Sequence, residues 1–122
     1  MQTTTTIVNL NPLRKLLRDN KSAIKKALEL FVETTVEDMK LMGQHINDRK
    51  MLEASMIAHA LKSRFVYLGN EDAIVNVVML EGLLKDGRSS CYPETKNLFE
   101  KLNKMIDFCL MELDSEIVSL ND

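Results

Sequence analysis

The sequence has 122 residues, of which 45% are hydrophobic and 28% are charged, and its formal net charge is −2. This length and composition are typical of one globular domain with a single core, and the charge gives no reason to expect nucleic acid binding. No apolar stretch reaches the roughly 20 residues of a membrane-spanning helix, and the N-terminal segment lacks the basic and apolar parts of a secretion signal. We therefore expect no membrane association and a cytoplasmic location.

The first third of the chain is predicted to contain a short helix and a long one. Residues 1–8 are expected to be a flexible lead-in, because four consecutive threonines favour neither a helix nor a core, and the folded domain is expected to span 9–122. A short helix is predicted over about 11–19. A long helix is predicted to follow Asn20, a residue type that caps helix N-termini, and to run to about Ile46, because apolar residues recur every three or four positions.

The rest of the chain is predicted to form three more helices. The third spans about 49–68 and ends at Gly69, and the fourth spans about 72–85. After a connection over 88–92, the last helix is predicted over 93–119. Four long amphipathic helices with short links predict an all-α fold, an antiparallel up-down four-helix bundle, with the short first helix capping one end.

Cysteines, metal motifs and nucleotide motifs exclude several kinds of site. Cys91 and Cys109 are predicted to be free thiols in a reducing compartment, with Cys109 in the core of the last helix. No H-E-x-x-H, E-x-x-H or C-x-x-C pattern occurs, so no metal site is expected, and His45 is expected to have no function. No glycine-rich nucleotide loop occurs either, so the chain should not phosphorylate itself from ATP.

The third predicted helix carries a histidine on its polar side. With residues placed 100° apart, Ile57, Leu61 and Leu68 form an apolar stripe, and His59 lies about 160–180° from it. The stripe must face the core, so His59 should face water. Lys62 at i+3 and Ser63 at i+4 share its side of the helix.

This segment resembles the motif of the histidine-containing phosphotransfer (HPt) domain, approximately H-x-L-K-G-x-x-x-x-L-G. The matching residues are His59, Leu61, Lys62, Leu68 and Gly69. The family also has a Leu-Glu pair in the following helix, and Leu80-Glu81 stands at the expected spacing. Ser63 departs from the family, which usually has glycine there. The resemblance covers nearly the whole chain and implies the same helical bundle.

The resemblance implies a phosphorelay signal-transduction carrier that is not itself an enzyme. His59 would accept a phosphoryl group from a receiver-domain aspartate or a kinase and pass it to another receiver aspartate. Lys62 would stabilise the negative charge of the phosphoryl group, and Glu81 would orient the imidazole through its other nitrogen. The alternative interpretation of Glu81 is a solvated charge on a helix surface. No cofactor is expected in this chain, and Mg²⁺ is expected only in the partner receiver domain.

The implied partners are receiver domains and a hybrid sensor kinase, bound by a monomer through the surface around His59. Ser63, Met56 and Arg64 are the predicted binding residues, with the Arg64 side chain reaching solvent or a carboxylate. Basic residues at the start of the third helix, Arg49 and Lys50, would favour an acidic partner.

Three large apolar residues lie to one side of His59 on the same helix, namely Leu52, Met56 and Tyr67. We interpret them first as core residues packed against a neighbouring helix. The alternative is an apolar docking patch for a partner.

Two other functions remain open. The bundle could be a docking module of the same fold in which His59 is never phosphorylated. It could also be a helical scaffold unrelated to signalling, for which the HPt motif would be a coincidence.

Overall fold

The computed structural model describes residues 8–87 and 92–120 of the chain, and this part forms an all-α bundle without strands. Its five helices are α1 (Asn11–Leu16), α2 (Lys21–Asn47), α3 (Met51–Leu68), α4 (Glu71–Asp86) and α5 (Tyr92–Leu120). The predicted fold class is therefore confirmed. The predicted connection before the last helix falls largely outside the described residues, and Tyr92 is already in α5.

Local signals in the sequence set several of the helix ends. The side chain of Asn20 accepts a hydrogen bond from the backbone N–H of Ala23 at 3.0 Å, and Asn70 does the same for Ala73 at 3.0 Å. These two caps begin α2 and α4 by satisfying donors that the first turn leaves unpaired. Gly69 ends α3 in the left-handed conformation, with φ of 65°.

The four long helices surround one core. α2 and α4 each contact both α3 and α5, so the helices form a ring in which sequence neighbours run in opposite directions. The largest fully buried side chains come from all four of these helices, and they are Leu28, Met42, Ile46, Leu61, Phe65, Leu68, Val77, Leu80, Leu84, Leu102, Ile106 and Leu113. Cys109 is a free, fully buried thiol in this core, as predicted, and Cys91 lies outside the described residues.

The N-terminal segment packs at the end of the bundle where α3 meets α4. The backbone N–H of Asn9 donates to the carbonyl oxygen of Leu68 at 2.7 Å, and that of Val8 donates to Glu112 Oε1 at 3.0 Å. Val8 is only 5% exposed and thus belongs to the packed fold, whereas the sequence placed it in the lead-in. α1 contacts α3 beside this segment, in the capping position that was predicted.

Two helices begin or end differently from the prediction. α1 ends at Leu16 because Arg18 and Asp19 adopt positive φ angles of 53° and 57°, which a continuous helix excludes. Arg49 also has a positive φ, of 62°, and lies in the turn before α3. Its guanidinium stacks over the Tyr92 ring, 3.4 Å from the ring centre, so it ties this turn to the start of α5.

Candidate functional site

The packing of α3 leaves His59 on its outer side. The helix buries a stripe that steps by three and four residues, formed by Ala54, Ala58, Leu61, Phe65 and Leu68. Because this stripe faces the core, His59 faces solvent, and 63% of its side chain is exposed. Ile57, which the sequence placed in the stripe, is half-buried at its edge.

Across the contact between α3 and α4, the imidazole of His59 meets the carboxylate of Glu81. Nδ1 of His59 lies 3.0 Å from Oε2 of Glu81, and only 9% of the Glu81 side chain is exposed. An ionised carboxylate can only accept hydrogen bonds, so Nδ1 carries the proton that is shared. In the neutral imidazole this leaves Nε2 as the nitrogen with a lone pair. The alternative of Glu81 as a solvated surface charge does not agree with its burial.

Lys85, one turn along α4, contacts the same carboxylate oxygen. Its Nζ lies 3.2 Å from Oε2 of Glu81. Burial alone raises the pKa of Glu81, but the hydrogen bonds and positive charges of Lys85 and His59 outweigh burial and hold it below its ordinary value. Glu81 is therefore ionised at neutral pH. The sequence analysis did not find Lys85, although a glutamate followed by lysine at i+4 is a favourable helix pair.

Lys62 and Ser63 occupy the positions that their helical spacing predicts. Lys62 is half-buried and Ser63 is exposed, one turn from His59 in each case. Within residues 8–87 and 92–120, no carboxylate forms an ion pair with Lys62. Its charge is therefore available to an anion at His59.

Arg64 turns away from His59 and toward α2. Its guanidinium forms an ion pair with Asp38, and the two side chains are 26% and 22% exposed. This agrees with the expected reach toward a carboxylate and joins α3 to α2. The geometry does not bring Arg64 to the His59 site.

The structure corrects the first interpretation of Leu52, Met56 and Tyr67, because they are not core residues. They are exposed by 69%, 67% and 47%, respectively. On the helical wheel they lie close to His59 and opposite the buried stripe. The error came from assigning large apolar side chains to the core, when Ala54 and Ala58 supply part of the stripe that faces it.

Further apolar side chains of α3 and α4, which the sequence analysis did not single out, are also exposed. Val66 of α3 is 53% exposed, and Val78, one turn before Glu81 on α4, is 46% exposed. Val75 lies one further turn back and is 57% exposed. We call the set Leu52, Met56, Val66, Tyr67, Val75 and Val78 the outer apolar face; all six side chains are exposed and lie on the two helices that carry His59 and Glu81.

The remaining predictions concern metals and membranes. Among the described residues, no three His, Cys, Asp or Glu side chains lie close enough together to hold a metal ion. None of the described helices combines the length and the apolar character needed to cross a membrane.

Comparison with known proteins adds no relative: no protein-family model matches this chain, and neither the curated proteins nor the solved structures give a match.

Proposed function

We propose that this protein is a phosphoryl carrier of the HPt type in a cytoplasmic two-component phosphorelay. His59 accepts a phosphoryl group from a receiver-domain aspartate or a kinase and passes it to a receiver aspartate of another protein. The observation that carries this proposal is the exposed imidazole whose Nδ1 is held by the nearly buried carboxylate of Glu81. That pairing leaves Nε2 as the nucleophile.

Phosphoryl transfer needs few protein groups beyond this pair of His59 and Glu81. Nε2 attacks phosphorus, an N–P bond forms, and the P–O bond to the donor breaks so that the donor carboxylate leaves as an anion. The imidazole retains its proton on Nδ1 and becomes positively charged, and the adjacent Glu81 carboxylate stabilises that charge. Lys62 offsets the negative charge of the phosphoryl oxygens, by about 1 kcal/mol or less at so accessible a site.

The outer apolar face supports docking of a protein partner at His59. Single exposed apolar residues are common on any surface, but six such side chains from two adjacent helices indicate an interaction site. Receiver domains carry an acidic cluster at the phosphoaspartate, which Lys62 complements. Met56 and Ser63 are the binding residues retained in this proposal, and Arg64 is not, because it pairs with Asp38 on α2.

The exposure of the same face also favours one second candidate, a docking module that binds a receiver or kinase without being phosphorylated. It requires the outer apolar face and makes no demand on the nucleophile. The two candidates therefore differ only in the chemistry of His59.

Intact mass after incubation with phosphoramidate, a small-molecule donor for histidine, separates them. We expect one added phosphoryl group, labile in acid and stable in base, on the wild type and on His45→Gln, the matched control. His59→Gln should take up none and should melt within a few degrees of the wild type, because an exposed side chain contributes little to stability. A folded wild type that takes up no phosphate, or equal labelling of His59→Gln, would leave the docking module as the better candidate.

A further inference from the structure

Among the described residues, Lys85 is the one charged side chain bound to the His59–Glu81 pair that the proposed mechanism does not use. Its Nζ lies 3.2 Å from Oε2 of Glu81, and Nδ1 of His59 lies 3.0 Å from the same oxygen. The same carboxylate oxygen thus contacts both an ammonium group and an imidazole. The Lys85 side chain is 63% exposed, so no packing requirement explains its position.

We propose that Lys85 is a positioning residue of this site. Its positive charge offsets the charge of the Glu81 carboxylate, which still accepts a hydrogen bond from His59. The His59 imidazole thereby stays uncharged, with Nε2 available. The inference rests on the proposed function only for the use of Nε2 as a nucleophile. The effect on the imidazole itself is a property of the three side chains.

The physical reason is a conflict between two tasks of Glu81. A lone carboxylate beside an imidazole orients the ring, but it also favours the protonated imidazolium, which has no lone pair for attack. A second cation on the same oxygen offsets the carboxylate charge while leaving the oxygen able to accept the Nδ1 proton. Lys85 therefore allows Glu81 to orient the His59 ring without favouring protonation of the ring.

Two other charged side chains follow His59 on α3. On α3, Lys62 lies one turn from His59. Arg64 of α3 faces α2, where Asp38 pairs with it. The low pKa of Glu81, to which both Lys85 and His59 contribute, agrees with a carboxylate that is ionised when it meets the imidazole.

The test is an NMR titration of the His59 ring in four proteins: the wild type, Lys85→Met, Glu81→Gln and the double variant. Lys85→Met should move the His59 titration midpoint upward by about half a pH unit, since the unopposed carboxylate then stabilises the imidazolium. In the Glu81→Gln background the same substitution should have a much smaller effect, because its route through the carboxylate is gone. Lys85→Arg, which keeps the charge, should titrate like the wild type.

Two results would overturn the inference. One is an unchanged midpoint in Lys85→Met, and the other is an equal shift with and without Glu81, which would mean a direct charge effect that does not pass through the carboxylate. Neither depends on whether His59 is ever phosphorylated, so failure of the proposed function and failure of this inference are distinguishable.

If phosphoramidate labels His59, the pH profile gives a second readout. For a midpoint shift of about half a unit, Lys85→Met should be labelled about two- to threefold more slowly than the wild type near pH 6, and at the same rate near pH 8.5. A loss of rate that is the same at both pH values would contradict the positioning role.

Discussion

Glu81 shows how one carboxylate can be both buried and ionised. Removal from water favours its neutral form, while the lysine and the histidine on Oε2 favour the charged form, and the second effect is larger. Its folded-state pKa is therefore below its ordinary value of 4.5. A carboxylate of this kind stabilises the fold above its ordinary pKa, and the contribution disappears as the pH falls through the lower folded-state value.

The variant Glu81→Gln should show this dependence directly. Above about pH 4.5 we expect it to melt at a lower temperature than the wild type, because an amide cannot form the two charged contacts. As the pH falls through the folded-state pKa the wild-type carboxyl becomes protonated, and the melting temperatures of the two proteins should converge. Thermal melts followed by circular dichroism at pH 7, 4 and 2 measure the difference. A gap in melting temperature that is equally large at all three pH values would show that packing, not charge, gives Glu81 its role in stability.

Gly69, which ends α3, and Gly82, inside α4, have opposite structural requirements. Gly69 has φ of 65°, and a Cβ there would lie 2.7 Å from Cβ and 2.8 Å from the carbonyl oxygen of Asn9. Gly82, in the middle of α4 and next to Glu81, has no neighbouring atom within 4 Å of such a Cβ. The first glycine is therefore required by the turn between α3 and α4, and the second only weakens its helix.

Alanine at the two positions should change stability in opposite directions. Gly82→Ala should stabilise the protein by about 0.5–1 kcal/mol, the usual gain for an exposed site inside a helix. Gly69→Ala should destabilise it by more than that amount, because both the backbone angle and the contact with Asn9 oppose a side chain. Urea unfolding of the two variants beside the wild type gives both values. Stabilisation by Gly69→Ala would mean that the N-terminal segment does not hold the α3–α4 turn as the structure shows.

Helix starts and ends were largely predictable because single residues determine them. Asn20 and Asn70 cap α2 and α4, and Gly69 ends α3, each through an interaction within a few residues. The end of α1 was not predictable, since nothing in its apolar pattern reveals the positive φ angles of Arg18 and Asp19. Such angles depend on how the chain must turn to reach the next helix.

At the candidate site, helical spacing placed His59, Lys62 and Ser63 on one side of α3, and the resemblance and tertiary packing decided the rest. Helical periodicity alone placed His59 on the solvent side, and the pairing with Glu81 came from the HPt resemblance. The exposure of Leu52 and Met56 agrees with their positions near His59 on the helical wheel, but their size and apolar character led to the interpretation as core residues. The turn of Arg64 toward Asp38 depends on the neighbouring helix.

For the molecule as a whole, one core joins all five helices, so its parts should lose structure together. Leu13 of α1 and the core residues of α2 to α5 belong to a single buried cluster. Cys109 lies in this cluster and is fully buried, and burial raises the pKa of its thiol to about 11. At pH 8 the thiol is thus both inaccessible and protonated, and it should react only when the fold opens.

Cys109 can therefore report whether α5 opens alone or with the whole bundle. In a Cys91→Ser background, which leaves one thiol, we expect labelling at pH 8 to be slow without denaturant and to accelerate with urea in parallel with global unfolding. Gly69→Ala, which acts at the turn between α3 and α4, should then accelerate labelling by the factor that its loss of stability predicts. Labelling that responds neither to low urea concentrations nor to Gly69→Ala would instead indicate local fraying of α5. α5 packs against α4, which carries Glu81. That result would therefore mean that α5 can open without disturbing the core that supports His59.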